Sequence, residues 1–200
     1  MKKIVKFLLA MYILCSILPA VGLLRDKTTL RNDLIRLHVV GASNSEVDQT
    51  VKLQVRDAVI EALSEPLAAC TNVQQAHEYL SQHLSDIREI AVKTLADAGF
   101  ADDVQVTMAE EAFPRRDYDT FSLPSGVYQS LRITIGEGAG RNWWCVMFPQ
   151  LCFSAAAEDA MEVGGMDQPL SDTISRQQGY QVRFFLLDIL GKIENFFHRD

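Results

Sequence analysis

Residues 34–40, with the sequence LIRLHVV, decide the fold, because a run of branched apolar residues of this length is typical of a β-strand. Glycine, serine and asparagine at 41–45 end that strand, and Ser45 followed by acidic residues is a helix N-cap signal. Apolar residues then recur at helical spacing over 47–62. Pro66 is expected to end this helix, since proline cannot donate the backbone hydrogen bond that a helix interior needs.

A second helical pattern follows the first. Apolar residues hold one face from Val73 to Ala98, which predicts one helix of about seven turns. Thr71 or Asn72 is placed to cap its start, and Gly99 to end it as a C′ glycine. Two long helices after one strand indicate a layer that covers one face of a sheet.

The second half of the chain carries strand patterns. Residues 104–108 and 128–135 alternate between apolar and polar types, and 118–123 and 142–148 are further strand candidates. The glycines at 136–140 predict a hairpin turn and not a phosphate loop, because a strand follows them where a phosphate loop has a helix. We therefore expect an α+β fold, with an antiparallel sheet of about four to five strands, two long helices on one face and a C-terminal helix.

The domain boundaries follow from composition. Residues 1–22 carry early lysines and then an uncharged run, which predicts a signal peptide or an N-terminal membrane anchor; both readings stay open. A linker at 23–32 precedes one α+β domain at 33–153. Residues 154–179, acidic and weakly periodic, are expected to be a mobile segment before a helix at 180–200. Membrane contact is expected through the N-terminal segment alone.

Composition excludes several classes of protein. Apolar residues make up 48% and charged residues 22%, as in globular proteins, which excludes disorder, a collagen repeat and a polytopic membrane protein. The formal net charge is −7. An acidic surface is repelled by phosphate backbones, so we expect no nucleic-acid partner.

Catalytic and metal motifs are scarce. A dyad of Cys145 and His38, with Asp57 as the orienting group, can be drawn, but four histidines and four cysteines always permit some such arrangement, and a structural role for His38 is the commoner case. His77 and His83 are six residues apart, which is not the zinc-binding spacing of four. The sequence contains no HExxH, GxSxG or CxxC motif. We therefore expect no metal and no cofactor.

Two cysteines and two tryptophans form the most specific local cluster. Cys145 and Cys152 are placed to form a disulfide if the chain bends at 148–150, and buried free thiols are the alternative. Trp143 and Trp144 point to opposite faces of their strand. One is expected in the core; the other is either a binding residue or lies under the C-terminal helix.

Two blocks of the chain resemble the stage II sporulation protein R family over residues 34–153. The first block is LIRLHVV at 34–40, followed by Ser43, Ser45, Asp48-Gln49 and the helix through Val59. The second block lies in the strand-rich half of the chain and consists of Leu123-Pro124, Leu131-Arg132-Ile133, Asn142-Trp143-Trp144-Cys145-Val146, Phe148-Pro149 and Leu151-Cys152. Ala42 and Asn44 stand where the family commonly has asparagine and aspartate, which argues against a metal site in this loop.

The resemblance implies a signalling protein without an activity of its own. It implies export from the forespore into the space between the two septal membranes, and activation there of a membrane-embedded aspartic protease that processes an early mother-cell sigma factor precursor. The expected contact residues lie in the first loop and in the last strand and its bend: Ser43, Asn44, Ser45, Asp48, Trp143, Trp144, Phe148 and Pro149. A cell-envelope thiol hydrolase that uses Cys145 and His38 is the alternative, and a structural envelope protein is a third hypothesis.

Overall fold

The structure is a computed structural model that describes residues 32–118, 121–152 and 181–197. Its elements in chain order are β1 (Ile35–Val40), α1 (Glu46–Ala68), α2 (Val73–Gln82), α3 (Leu84–Asp97), β2 (Val104–Phe113), β3 (Arg116–Asp117), β4 (Ser122–Leu123), β5 (Gly126–Ile135), β6 (Asn142–Phe148) and α4 (Gln181–Phe197). The predicted α+β class, with helices on a sheet and a C-terminal helix, is confirmed. The predicted signal or anchor and the predicted acidic segment lie outside the described residues, as does the linker at 23–31.

Among the described residues, the main sheet has four strands in the order β2-β5-β1-β6. β2 and β6 run antiparallel to their neighbours, but β1 and β5 pair in parallel, with Leu37 opposite Leu131. The sheet is therefore mixed, where the sequence indicated an antiparallel one. A parallel pair needs a long crossover between its strands, and here α1, α2, α3 and β2 supply it.

The hairpin predicted at 136–140 is wrong, because β5 and β6 are not neighbours. β1 lies between them, so the loop crosses over the end of β1 instead. The Gly140 amide donates to the Gly41 carbonyl over 2.8 Å, and the Ala139 amide donates to the Ala42 carbonyl over 3.2 Å. A Cβ on Gly140 would overlap the Ser43 carbonyl oxygen, so the close approach requires glycine there.

Helix ends follow the capping signals, with two corrections. Ser45, Asn72 and Gly99 act as predicted: Ser45 and Asn72 side chains accept amide hydrogen bonds, and Gly99 has a φ of 84°. Pro66 does not end α1, which continues to Ala68: the proline removes its own amide donor, but the Ala69 amide beyond it still donates to the Glu65 carbonyl. The single helix expected over 73–98 is split at His83, whose backbone leaves the helical region (φ −112°, ψ 23°).

The strand expected at 118–123 is also different. The chain there forms a two-stranded ribbon, in which Arg116 of β3 pairs with Leu123 of β4. Residues 119–120 between them lie outside the described residues.

Each face of the sheet has its own core. One face packs against α1, α2 and α3 through buried aliphatic side chains, which include Leu37, Val39, Val55, Val59, Ile87, Leu95, Leu131 and Ile133. The other face carries an aromatic cluster under the ribbon and α4: Leu34, Phe113, Phe121, Leu123, Tyr128, Val146, Leu151 and Leu187. Asp188 holds α4 against the residue before β5, since its carboxylate accepts a hydrogen bond from the Ser125 amide over 3.1 Å. None of the described helices is long and apolar enough to cross a bilayer.

Candidate functional site

The end of β6 turns back on itself. A cis peptide bond joins Phe148 to Pro149, and the Leu151 amide donates to the Pro149 carbonyl over 2.7 Å. This bend returns Cys152 to Cys145, with their Cα atoms 5.5 Å apart, and the two form a disulfide. The spacing lies within the range that a disulfide tolerates.

Cys145 and His38 do not meet. Cys145 faces the helices, whereas His38 faces the opposite side of the sheet, where Nδ1 lies 2.8 Å from Oε1 of Glu111 and Nε2 lies 3.0 Å from Oδ1 of Asn142. Asp57 is on α1 and belongs to neither group. Cys145 and His38 therefore do not form the predicted thiol dyad.

A group of polar side chains lies on the face of the sheet opposite to α1, α2 and α3, and Glu111 is the hydrogen-bond acceptor that its members share. Its Oε1 also accepts from Arg132 over 3.0 Å. Burial by itself would raise the pKa of Glu111, but the hydrogen bond and charge of His38, with Ser130 and Arg132, outweigh it and hold that pKa below its ordinary value. The carboxylate therefore stays ionised and ties three strands together.

Arg36 is a fully buried cation that the sequence reasoning did not single out. Its guanidinium carbon lies 4.1 Å from the centre of the Phe113 ring and 5.3 Å from that of Tyr128, and Nη2 donates to the Tyr118 hydroxyl over 2.8 Å. The available signal was an arginine in the middle of an apolar strand. The aromatic rings and the hydroxyl stabilise the charge inside the second core.

Trp144 lies on the same face and is half-buried. The guanidinium carbon of Arg116 lies 3.9 Å from its ring centre, and the His38 ring lies 5.5 Å away. Trp144 is therefore partly covered by the β3–β4 ribbon.

Trp143 lies on the helix side of β6, on the face opposite to Trp144 as the alternation predicts, and borders an open groove between α1 and β6. The guanidinium carbon of Arg56 lies 4.7 Å from its ring centre. The groove is lined by Arg56, Asp57, Ile60, Glu61, Ser64, Glu65, Ala68, Trp143 and Cys152. We call this the α1–β6 groove.

The first loop, 43–48, is organised by its own side chains. The Ser43 hydroxyl donates to the Asp48 carboxylate, and the Ser45 amide donates to the Ser43 hydroxyl over 3.1 Å. Ser45 caps α1 by accepting from the Asp48 amide over 3.0 Å. Asn44 is exposed at the tip. Three of the four predicted contact residues in this loop therefore hold its shape, and Asn44 and Ser45 are the two that are exposed to solvent.

A buried lysine fixes this loop beside β6. Lys52 donates to Oε1 of Gln49 over 2.6 Å and to the carbonyl of Arg141 over 3.0 Å, while Gln49 donates to the Ser43 carbonyl over 2.7 Å. Burial lowers the pKa of Lys52, and the charges of Arg141 and Arg56 lower it further. The loop and the start of β6 therefore form one continuous surface.

The predicted contact residues divide between two ends of β6. The loop 43–48 and Trp143 lie near its first residue, whereas Phe148 and Pro149 are buried at its last. What the sequence reasoning missed is the α1–β6 groove between these ends. Its acidic residues were visible as the polar face of a helix, but their position beside β6 depends on the tertiary fold.

Within residues 32–118, 121–152 and 181–197, no group of three or more His, Cys, Asp or Glu side chains is arranged to hold a metal ion.

Comparisons with known proteins agree with each other. The family model described as Stage II sporulation protein R matches residues 31–158. A relative from Bacillus subtilis (strain 168), itself named Stage II sporulation protein R, is 32% identical over 162 residues, which cover 76% of this chain and 72% of the relative. No solved structure matches the chain.

Proposed function

The chain belongs to the stage II sporulation protein R family, and because this family acts in sporulation we propose that the chain is an exported activator of a membrane-embedded aspartic protease. In this proposal the forespore makes the protein and exports it into the space between the forespore and mother-cell membranes. The protease, in the mother cell, then removes the pro-segment of an early sigma factor precursor. Membrane contact of the activator itself is limited to its N-terminal segment.

The observation that carries the proposal is the family match over residues 31–158, which includes all the described strands and α1 to α3. The disulfide between Cys145 and Cys152 supports export, because disulfides persist outside the reducing cytoplasm. An activator works by binding the active state of its target more tightly than the inactive state. Loop 43–48 and the start of β6 offer one continuous surface for such binding.

The alternative, a thiol hydrolase, lacks a supporting geometry. Cys145 is bonded to Cys152, and His38 lies on the other face of the sheet. A thiol that is held in a disulfide is not available as a nucleophile.

Reconstitution in a non-sporulating host tests the proposal. The sigma precursor, the protease and the full chain are co-expressed, and removal of the pro-segment is followed on immunoblots. We expect processing only when all three are present, and a chain that lacks residues 2–22 to be inactive because it is not exported. Processing that is independent of this chain would refute the activator role.

His38→Ala separates binding from chemistry in the same assay. Under the proposal, loss of processing should scale with loss of thermal stability. A variant that keeps the wild-type melting temperature but supports no processing would favour a catalytic role for His38.

A further inference from the structure

We propose that the α1–β6 groove is the docking site for a basic peptide segment that carries apolar side chains, supplied by the outward-facing part of the protease; this inference rests on the proposed function. The groove combines an apolar floor with an acidic wall, and each feature is set by residues that the fold holds in place.

The floor is apolar and rigid. Ile60 and Ala68 of α1 line one side, and Trp143 and Cys152 line the other. The disulfide fixes Cys152, and Gln150 donates from its side-chain amide to the Ser64 carbonyl, which ties the bend to α1. A half-buried tryptophan beside a groove is the type of residue that supplies much of the energy of a protein interface.

The wall is acidic. Asp57, Glu61 and Glu65 are exposed and four residues apart, so they form one row along α1. Arg56 pairs with Asp57 at 2.6 Å, and within the described chain Glu61 and Glu65 form no salt bridge. The groove therefore presents two uncompensated carboxylates above an apolar floor.

Charge complementarity selects the occupant. Carboxylates at this spacing attract lysine or arginine and repel the phosphates of nucleic acids and of anionic lipids. From Asp57 to Ala68 the groove runs on the order of 16 Å along α1, which matches about five residues of extended peptide. A short basic segment with one or two apolar side chains fits both the length and the chemistry.

The double variant E61K/E65K of the full chain tests the inference. Its matched control is E89K/D97K, which makes the same charge change at exposed positions of α3. The readouts are co-purification with the detergent-solubilised protease at 50 and 500 mM NaCl, processing in the reconstituted host, and the melting temperature. We expect E61K/E65K to lose binding and processing about tenfold or more, E89K/D97K to retain both, and wild-type binding to fall at high salt.

A second variant tests the groove without changing charge. Ala68→Trp fills the exposed end of the groove, so it should reduce binding at an unchanged melting temperature. Replacing basic residues in the outward segment of the protease by glutamate should restore binding to E61K/E65K and weaken binding of the wild type.

The outcomes are distinguishable. A wild-type chain that supports no processing refutes the proposed function. If the wild type supports processing and E61K/E65K, A68W and the control are all equally active, the groove is not the docking site, and the proposed function still stands. If K27E/R31E in the same chain restores E61K/E65K, the occupant is the chain's own N-terminal segment, and the assignment to the protease is overturned.

Discussion

His38 Nδ1 lies 2.8 Å from Glu111 Oε1, and this contact joins β1 to β2 across β5, which runs between them. The same carboxylate oxygen accepts from Arg132 of β5. One half-buried acceptor therefore connects three of the four described strands of the main sheet, on the face that α4 covers.

Glu111→Gln should destabilise the fold by about 1–3 kcal/mol at pH 7, because a partly buried, charged hydrogen bond is weakened. Since folding lowers the pKa of Glu111 below its ordinary 4.5, its stabilisation is complete above about pH 4.5 and is lost as the pH falls through the folded-state pKa. Urea unfolding at pH 7, 5, 4 and 3 should show the gap between wild type and variant closing in acid. If the difference in stability between wild type and variant is as large at pH 3 as at pH 7, this role of Glu111 is contradicted. The control is Glu137→Gln, at an exposed position, which should change the stability at pH 7 by less than about 0.5 kcal/mol.

Gly140→Ala tests the crossing of loop 136–140 over the end of β1. A Cβ at this position would overlap the Ser43 carbonyl and lie 2.6 Å from the Gly41 carbonyl oxygen, so the loop must move. We expect a loss of about 1–3 kcal/mol in urea unfolding and reduced processing in the reconstituted host. The neighbouring Ala139→Ser, at an exposed position, is the control and should remain near wild type. Equal stability of both variants would contradict the described crossing.

Gly191→Ala should loosen α4. Gly191 is buried against β5, and a Cβ there would overlap the Ser125 carbonyl oxygen. Hydrogen exchange of the amides at 185–197 should become at least about tenfold faster, which corresponds to about 1.4 kcal/mol. Ile193→Ala, at a position that is 51% exposed, should leave exchange nearly unchanged. Unchanged exchange in Gly191→Ala would mean that α4 does not pack as described.

Capping residues predicted three helix ends correctly, whereas Pro66 and the pattern over 73–98 did not predict where a helix stops. Ser45, Asn72 and Gly99 mark helix ends because their side chains or backbone freedom act within a few residues. Strand order was not predictable, because alternation specifies which face a residue occupies and not which strand lies beside it. The insertion of β1 between β5 and β6 therefore came only from the structure.

The same distinction applies to the candidate site. The opposite orientations of Trp143 and Trp144 follow from strand alternation, and in the structure the two side chains pack against the cores on opposite faces of the sheet. The burial of Arg36 among aromatic rings, and the position of Glu61 and Glu65 beside β6, depend on contacts between distant parts of the chain. No pattern within a short window of sequence encodes such contacts.

The disulfide of Cys145 and Cys152 should be present in the exported protein and should stabilise the bend. Alkylation of the unreduced, denatured protein followed by peptide mass mapping should modify Cys70, which is a free thiol, and leave Cys145 and Cys152 unmodified. Because the bond closes a short loop, chain entropy predicts that the double variant C145S/C152S loses about 2.5 kcal/mol. Dithiothreitol should lower the unfolding midpoint of the wild type and of the control Cys70→Ser, but not that of C145S/C152S. Alkylation of Cys145 without reduction would show that the bend closes without a covalent bond, and would remove the disulfide as support for export.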